Sequence, residues 1–124
     1  MKLISLNEGF NEALAKSEEV LNYGGLVIFP TDTVYGLACR VDFPKAIERI
    51  YSIKGRNHTK ALSVLIGDFF QVRLLTGTIN LTMERLVQHF WPGALTIVVD
   101  KDISISNLIS MDGSIGIRLP DYDF

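Results

Sequence analysis

The stretch "SIGIRLP", residues 114–120, predicts a β-strand with two different faces. Side chains alternate across a strand. One face therefore carries Ile115, Ile117 and Leu119, and the other carries Ser114, Gly116 and Arg118. A charge in an apolar strand is costly unless it is paired or exposed, so we expect the face with Arg118 to be open. We expect the apolar face to pack against a core. The open face is a candidate ligand floor, and a surface ion pair of Arg118 with Asp121 or Asp123 is the alternative.

Apolar runs and helical repeats alternate around this strand. The runs "LVIFP" (26–30) and "ALSVLIG" (61–67) are typical of buried strands, and we expect both to be inner strands. Further strands are predicted at "LACRV" (37–41), "ALTIVVD" (94–100) and "ISISNLI" (103–109), and helices at residues 10–21, 43–54, 68–76 and 79–90. Asp42 is predicted to cap the second helix, with Pro44 in its first turn. This order predicts an α/β or α+β fold around a twisted sheet.

The bulk composition indicates one ordinary domain covering residues 1–124. A net charge of -2 argues against a protein that binds nucleic acid through bulk positive charge. Cys39 is the single cysteine, so the sequence predicts neither a disulfide framework nor a zinc site, and we expect Cys39 to be a small buried residue. No apolar run is long enough to span a membrane, and the first residues lack the apolar core of a signal peptide. We expect a cytoplasmic protein.

Positive charge is concentrated in residues 40–60, which carry a net charge of +4. Lys54, Arg56 and Lys60 fall at a predicted helix end and in the loop that leads to a strand. Such loops are where α/β folds place ligands, and three cations there suit a polyphosphate. Neither GxGxxG nor GxxxxGKS/T occurs, so side chains would have to hold any phosphate. The alternative is that Lys54 complements the helix C-terminus and Arg56 is solvated.

Polar side chains also follow the first apolar run, in "FPTDTVYGLACR" (29–40). Thr31, Asp32 and Thr33 would lie beyond a strand end, where hydroxyls can bond a small polar ligand without adding charge. Asp32 could hold a metal, an amine or a backbone amide. The alternative is a capped turn, since threonine and aspartate are favoured in turns. His58 and His89 are assigned no catalytic role, and no Ser/His/Asp set has a defensible spacing.

Four blocks of the sequence resemble the YrdC-like family of threonylcarbamoyl-AMP synthases. They are "GGLVIFPTDTVYGLACRV", "IYSIKGRNHTKALSVLI", "WPGALTIVV" and "GSIGIRLPD", and they occur in the family's order. The resemblance implies a twisted, mostly β, mixed sheet flanked by helices, with an open concave ligand cleft. It also implies an enzyme that joins L-threonine, bicarbonate and ATP into threonylcarbamoyl-AMP and releases pyrophosphate. A partner enzyme would then transfer the threonylcarbamoyl group to an adenosine next to the anticodon of tRNA.

The resemblance assigns roles to six residues. It implies that Thr33 and Arg118 bind threonine, and that the ATP site is formed by Lys54, Arg56, Lys60 and Ser114. Lys54 and Arg56 would be catalytic, because the carbamate formed from threonine attacks the α-phosphate and cationic clamps stabilise the crowded negative charge. The carbamate is itself the nucleophile, so no strong general base is needed. Mg²⁺ is expected to bridge the phosphates.

The chain departs from the family pattern at three places. Ala61 stands where the family usually has proline, and Leu65 stands where many members have a histidine that contacts threonine. The family's later Ser-x-Asn motif is absent from these 124 residues, so we expect the domain to lack the family's C-terminal part. Two alternatives to an active synthase therefore stay open: a module that binds double-stranded RNA weakly through a basic patch, and an inactive fragment of the enzyme.

Overall fold

The computed structural model describes residues 1–122 of the chain. Its helices are α1 (Leu6–Asn22), α2 (Pro44–Lys54), α3 (Val72–Leu75) and α4 (Leu81–Phe90), and a 3-10 turn (Phe69–Gln71) runs directly into α3. Gly55 ends α2 in the left-handed conformation, with φ of 54°, as glycine readily does after a helix. Within the described residues, no helix combines the length and the apolar composition that crossing a membrane would require.

Within residues 1–122, five strands form two separate ladders. β1 (Val27–Phe29) and β2 (Gly36–Ala38) pair as an antiparallel hairpin, and the second ladder contains β3 (Ser63–Leu65), β4 (Ile97–Asp100) and β5 (Ser114–Arg118). β5 lies in the middle of this second sheet, parallel to β3 and antiparallel to β4. The prediction of a mixed sheet accompanied by helices is therefore confirmed.

β5 has the two faces that its alternation predicted. Ile115 and Ile117 are fully buried, whereas Ser114, Gly116 and Arg118 are partly exposed. The buried face joins a core that also contains Ile47 and Tyr51 of α2. Burying one such isoleucine side chain stabilises the fold by about 1.5–3 kcal/mol, so this face anchors β5 firmly.

The prediction that residues 26–30 and 61–67 form inner strands is wrong for the part of the chain that the structure describes. β1 pairs with β2 alone, and Ile28 at its centre is 59% exposed. β3 lies at the side of its sheet, with Val64 buried and its two neighbours exposed. An apolar run reports how much of a strand is covered, but it does not determine how many neighbours the strand pairs with.

Residues 103–109 form turns where a strand was predicted. The Asp102 carboxylate accepts hydrogen bonds from the N–H and the hydroxyl of Ser104, and Ser106 accepts one from the N–H of Leu108. Such local bonds offer the backbone an alternative to a strand ladder. Ile109 is nevertheless 2% exposed, so the apolar residues that suggested a strand reach the core from a loop.

Asp42 does not cap α2 as predicted. Phe43 occupies the cap position, and Pro44 begins the helix. The Asp42 carboxylate instead pairs with the guanidinium of Arg40 through Nε at 2.9 Å and Nη2 at 2.6 Å, which lowers the pKa of Asp42. Cys39 beside it is partly buried and packs against the core, and burial, followed by the charge of Asp42, raises the pKa of its thiol.

Candidate functional site

Arg118, the last residue of β5, is held by three different groups. Its Nε donates to the carbonyl oxygen of Gly93 at 2.9 Å, and its Nη1 donates to the hydroxyl of Thr33 at 3.2 Å. Its Nη2 makes an ion pair with a carboxylate oxygen of Asp32. The structure therefore brings Thr33 and Arg118 together, although 85 residues separate them in the sequence.

The hydroxyl of Thr33 belongs to a short chain of hydrogen bonds. Thr31 donates its hydroxyl proton to the carbonyl of Val34 at 2.6 Å and accepts the N–H of Thr33 at 3.1 Å. The two threonine hydroxyls are also 3.1 Å apart. Because each hydroxyl has a single proton, Thr33 must be the donor in that contact. The bend after β1 is thus a self-bonded turn, as the alternative interpretation predicted, and it also aims an oxygen at Arg118.

Asp32 lies between this turn and the end of β5. One carboxylate oxygen pairs with Arg118, and the other accepts the backbone N–H of Asp121 at 3.2 Å. The sequence suggested a metal, an amine or a backbone amide as a partner of Asp32. The structure confirms the backbone amide and adds an arginine guanidinium. The alternative interpretation, a surface pair of Arg118 with the Asp121 carboxylate, is not met, because Arg118 pairs with Asp32 and its side chain is 13% exposed. Asp123 lies outside the described residues.

Ser114 begins β5 beside a second hydrogen-bonded aspartate. The hydroxyls of Ser110 and Ser114 each donate to the same carboxylate oxygen of Asp112 at 2.7 Å, and the N–H of Ser114 adds a bond at 3.0 Å. These bonds, with Ser110 contributing most, lower the pKa of Asp112 to about 2. The carboxylate is therefore ionised at neutral pH and fixes the position of the Ser114 side chain.

Gly116 lies between Ser114 and Arg118 on the open face of β5. A Cβ atom at this position would come within 3.1 Å of Cγ2 of Thr96 and 3.3 Å of Oγ of Ser63. A side chain would crowd this part of the face, so the absence of one lets a ligand approach the backbone. The five residues of β5 place its two ends about 13 Å apart, at roughly 3.3 Å per residue.

The loop after α2 is closed by Arg56. Its guanidinium donates to the carbonyl oxygens of Lys60 at 3.1 Å and Ala61 at 2.7 Å. The Tyr51 hydroxyl also donates to the carbonyl of Lys60 at 3.3 Å, and the Tyr51 ring stacks on His58 at 4.2 Å. Arg56 is thus bonded to its own loop, which differs from the solvated arginine of the alternative interpretation.

Lys54 and Lys60 are both exposed, and Lys54 lies in the last turn of α2. The loop that carries Lys60 leads into the amino end of β3, which is parallel to β5. It therefore approaches the Ser114 end of the floor, whereas Thr33 lies at the Arg118 end. Convergence of Lys54, Arg56, Lys60 and Thr33 in a single cleft stays a prediction.

Two shallow pockets flank the Ser114 end of the floor. One, of about 290 Å³, is lined by Thr78, Asn80, Val98, Val99, Asp100 and Ser114. The other, of about 260 Å³, is lined by Thr59, Ala61, Ser110, Met111 and Asp112. Asp112 lines the second pocket and accepts a hydrogen bond from the hydroxyl of Ser114, which lines the first.

Sequence reasoning missed Asp112 and the carbonyl of Gly93. An aspartate two residues before Ser114 was a readable signal, because aspartate often bonds the N–H two residues ahead. Gly93 offered no such signal, since it acts through its backbone oxygen and lies 25 residues from Arg118.

Comparison with known proteins identifies the family to which the chain belongs. The family model for Sua5, YciO and YrdC proteins, described as telomere recombination, matches residues 19–124. A threonylcarbamoyl-AMP synthase of Bos taurus is 34% identical over 117 residues, which are 94% of this chain and 42% of that protein. One of Bacillus subtilis is 35% identical over 111 residues, 88% of this chain and 32% of that protein. The chain thus spans less than half the length of these two relatives.

Solved structures agree with the sequence comparison. The crystal structure of Sua5 of Pyrococcus abyssi in complex with L-threonine has a TM-score of 0.83 at 31% identity, over 98% of this chain and 34% of that chain. YciO of Escherichia coli, at 21% identity, shares the fold with a TM-score of 0.79 over 89% of this chain and 54% of its own. With a family model matched from residue 19 to residue 124 and the same fold in both solved proteins, the chain belongs to the Sua5/YciO/YrdC family.

Proposed function

We propose that this chain forms the surface of a threonylcarbamoyl-AMP synthase on which threonine and ATP bind. That surface is the floor defined above, the open face of β5. The observation that supports this most is the contact between Thr33 and Arg118 at the carboxyl end of β5. A hydroxyl and a guanidinium side by side suit an amino acid that has both a hydroxyl and a carboxylate. Relatives named threonylcarbamoyl-AMP synthase and a related Sua5 structure with L-threonine favour that ligand.

In this proposal the two substrates share the open face of β5. Threonine binds at the end formed by Thr33 and Arg118, and the nucleotide binds near Ser114, where the loop with Arg56 and Lys60 approaches. The distance of about 13 Å along β5 leaves room for an amino acid and a nucleotide placed end to end. The amino group of threonine would form a C–N bond to the carbon of bicarbonate, a C–O bond would break, and water would leave, which yields the carbamate.

Lys54, Arg56 and Lys60 are the phosphate-binding residues of the proposal, with Lys54 and Arg56 in the catalytic role. The carbamate oxygen attacks the α-phosphorus, the bond to the β-phosphate oxygen breaks, and pyrophosphate leaves with its electron pair. Cations fixed beside the phosphates stabilise the charge that accumulates there. Arg56 has only two of its N–H groups on the carbonyls of Lys60 and Ala61 in the described residues, so its fork retains donors for phosphate oxygens.

Magnesium is proposed to accompany ATP and to be held by phosphate oxygens and water. Among residues 1–122 no three histidine, cysteine, aspartate or glutamate side chains form a group that could hold a metal ion. Mg²⁺ commonly binds with ATP through phosphates and few protein ligands. The product would pass to a partner enzyme that modifies tRNA, and a cytoplasmic location accords with that role.

The proposal is tested by pyrophosphate release from L-threonine, bicarbonate and ATP, together with calorimetric titration of threonine and ATP. We expect Arg118→Ala to weaken threonine binding strongly, to a residual affinity that the titration still measures, and to leave ATP binding in place. Arg73→Ala, at an exposed arginine of α3, is the control and should change neither. Threonine binding by Arg118→Ala that is as tight as in the unsubstituted chain would refute the assignment of this end of the floor.

The two alternatives predict different outcomes in these experiments and in a gel shift with duplex RNA. A double-stranded RNA-binding module would shift duplex RNA in a gel, with an affinity that falls steeply as salt rises. An inactive fragment would bind threonine or ATP without releasing pyrophosphate. Arg40 in the basic segment 40–60 is paired with Asp42, so it is not a free cation for an RNA phosphate.

A further inference from the structure

The two carboxylate oxygens of Asp32 hold two distant parts of the chain. One pairs with the guanidinium of Arg118, 86 residues away, and the other accepts the N–H of Asp121, 89 residues away. Asp32 therefore joins the turn after β1 to the end of β5 and to the segment that follows β5. None of the roles proposed above uses this carboxylate.

The ion pair between Asp32 and Arg118 is shielded from solvent. Their side chains are 16% and 13% exposed, whereas the side chains of Asp42 and Arg40 in the other aspartate–arginine pair are 54% and 45% exposed. A shielded pair is weakened less by water and salt, and loss of one partner leaves the other without compensation. The pair of Asp32 and Arg118 is thus less accessible to water than the pair of Asp42 and Arg40.

The remaining contacts determine the plane of the Arg118 guanidinium. Gly93 holds Nε, Thr33 holds Nη1 and Asp32 holds Nη2, so each of its three nitrogens has one partner among the described residues. These contacts use three of the five N–H groups of an arginine and leave one on each terminal nitrogen. Two N–H groups of this kind match the two oxygens of a carboxylate.

We propose that Asp32 is a positioning residue for the amino-acid substrate. It holds the Arg118 guanidinium in the orientation in which the two remaining N–H groups meet the carboxylate of threonine. Gly93 and Thr33 bond to the other two nitrogens but carry no charge, so Asp32 supplies the one ionic anchor among the three. This inference rests on the proposed function, because that proposal supplies threonine as the ligand.

The variant that tests this is Asp32→Asn, which keeps the size of the side chain and removes its charge. We expect the dissociation constant for threonine to rise at least about tenfold, the value of one charge-assisted hydrogen bond. The dissociation constant for ATP should stay unchanged, which general damage to the fold would not allow. Asp42→Asn removes the same charge from the exposed pair with Arg40 and should leave both constants as in the unsubstituted chain.

Two further measurements separate positioning from a direct contact and from misfolding. In an Arg118→Ala background, Asp32→Asn should cause no additional loss of threonine affinity, because it acts through an arginine that is no longer present. The Nε–H resonance of Arg118, recorded by NMR without ligand, should exchange slowly with water in the unsubstituted chain and in Asp42→Asn, and quickly in Asp32→Asn.

The possible outcomes distinguish a failure of the positioning role from a failure of the proposed function. If Arg118→Ala has a weakened affinity for threonine and Asp32→Asn has the normal affinity, the positioning role is wrong and the proposed function stands. If Asp32→Asn causes the same fold-loss in the Arg118→Ala background, Asp32 acts independently of Arg118 and the inference is overturned. If Arg118→Ala binds threonine normally, the proposed function fails at this end of the floor, and the positioning role fails with it.

Discussion

Replacing Gly116 by alanine should separate ligand binding from folding. Gly116 has no positive φ, so an alanine can adopt its backbone conformation without strain. The added Cβ would lie 3.1 Å from Cγ2 of Thr96 and 3.3 Å from Oγ of Ser63. Both neighbours are exposed side chains, so each can move by the few tenths of an ångström that the contact requires.

The free energy of unfolding should therefore change little. Glycine to alanine at a compatible position stabilises by about 0.4–1 kcal/mol through the unfolded chain, which offsets the crowding at Thr96 and Ser63. We expect a net change within about 1 kcal/mol. The methyl group nevertheless occupies the space through which a ligand would approach the strand between Ser114 and Arg118. A misplacement on the order of 1 Å can cost about 100-fold in rate, so under the proposed function pyrophosphate release should fall by about that factor.

Urea unfolding and calorimetric titration of threonine and ATP measure the two effects separately. Gly67→Ala is the matched control, because a Cβ there has only Oε1 of Gln71 within reach, at 4.0 Å, and Gly67 has no positive φ. The control should match the unsubstituted chain in both measurements. Normal binding and turnover by Gly116→Ala would show that no ligand approaches this strand closely. A loss of stability of more than about 2 kcal/mol would instead refute the argument that Thr96 and Ser63 can move aside.

Three further predictions concern the core, the loop after α2 and the acid limb of stability. Ile117→Ala should lower the free energy of unfolding by about 2–5 kcal/mol, because Ile117 is fully buried, and an unchanged urea midpoint would contradict its place in the core. Arg56→Ala should weaken ATP binding by about 1.5–3 kcal/mol in a titration, and nucleotide affinity equal to that of the unsubstituted chain would reject its phosphate role. Hydrogen bonds lower the pKa of Asp112 from 3.8 to about 2, so its contribution to stability should be complete above pH 3.8 and disappear as the pH falls toward 2. Asp112→Asn should flatten the dependence of stability on pH across that window, and an identical acid unfolding curve would contradict the assignment.

Local patterns in the sequence predicted the elements that depend on local chemistry. The alternation in β5 identified its buried and open faces, and the helical repeat identified α2 with Tyr51 in the core. Proline at its start and Gly55 at its end also identified where α2 begins and stops. Each of these features is determined by residues that are close together in the sequence.

Features that depend on distant partners could not be predicted in the same way. The apolar run at β1 did not reveal that β2 is its one partner among the described strands, because the pairing of a strand depends on all the other strands of the fold. The only partners within the chain that the sequence suggested for Arg118 were the alternative aspartates three and five residues ahead, whereas the fold brings Asp32 to it from 86 residues away. The three hydrogen bonds on the Arg118 guanidinium therefore could not be predicted from the sequence, although Thr33 and Arg118 were both predicted to be site residues.

The hydrogen bonds at Asp112 decide which part of a nucleotide can face Ser114. An ionised carboxylate only accepts hydrogen bonds, so the single hydroxyl proton of Ser114 is committed to Asp112. Toward a ligand, Ser114 then offers lone pairs and no proton, and a phosphate oxygen, which also lacks one, is a poor neighbour for it. A ribose hydroxyl or the adenine amino group does have a proton to give. A nucleotide on this floor would therefore turn its sugar or base toward Ser114 and direct its phosphates toward the cations of the Arg56 loop.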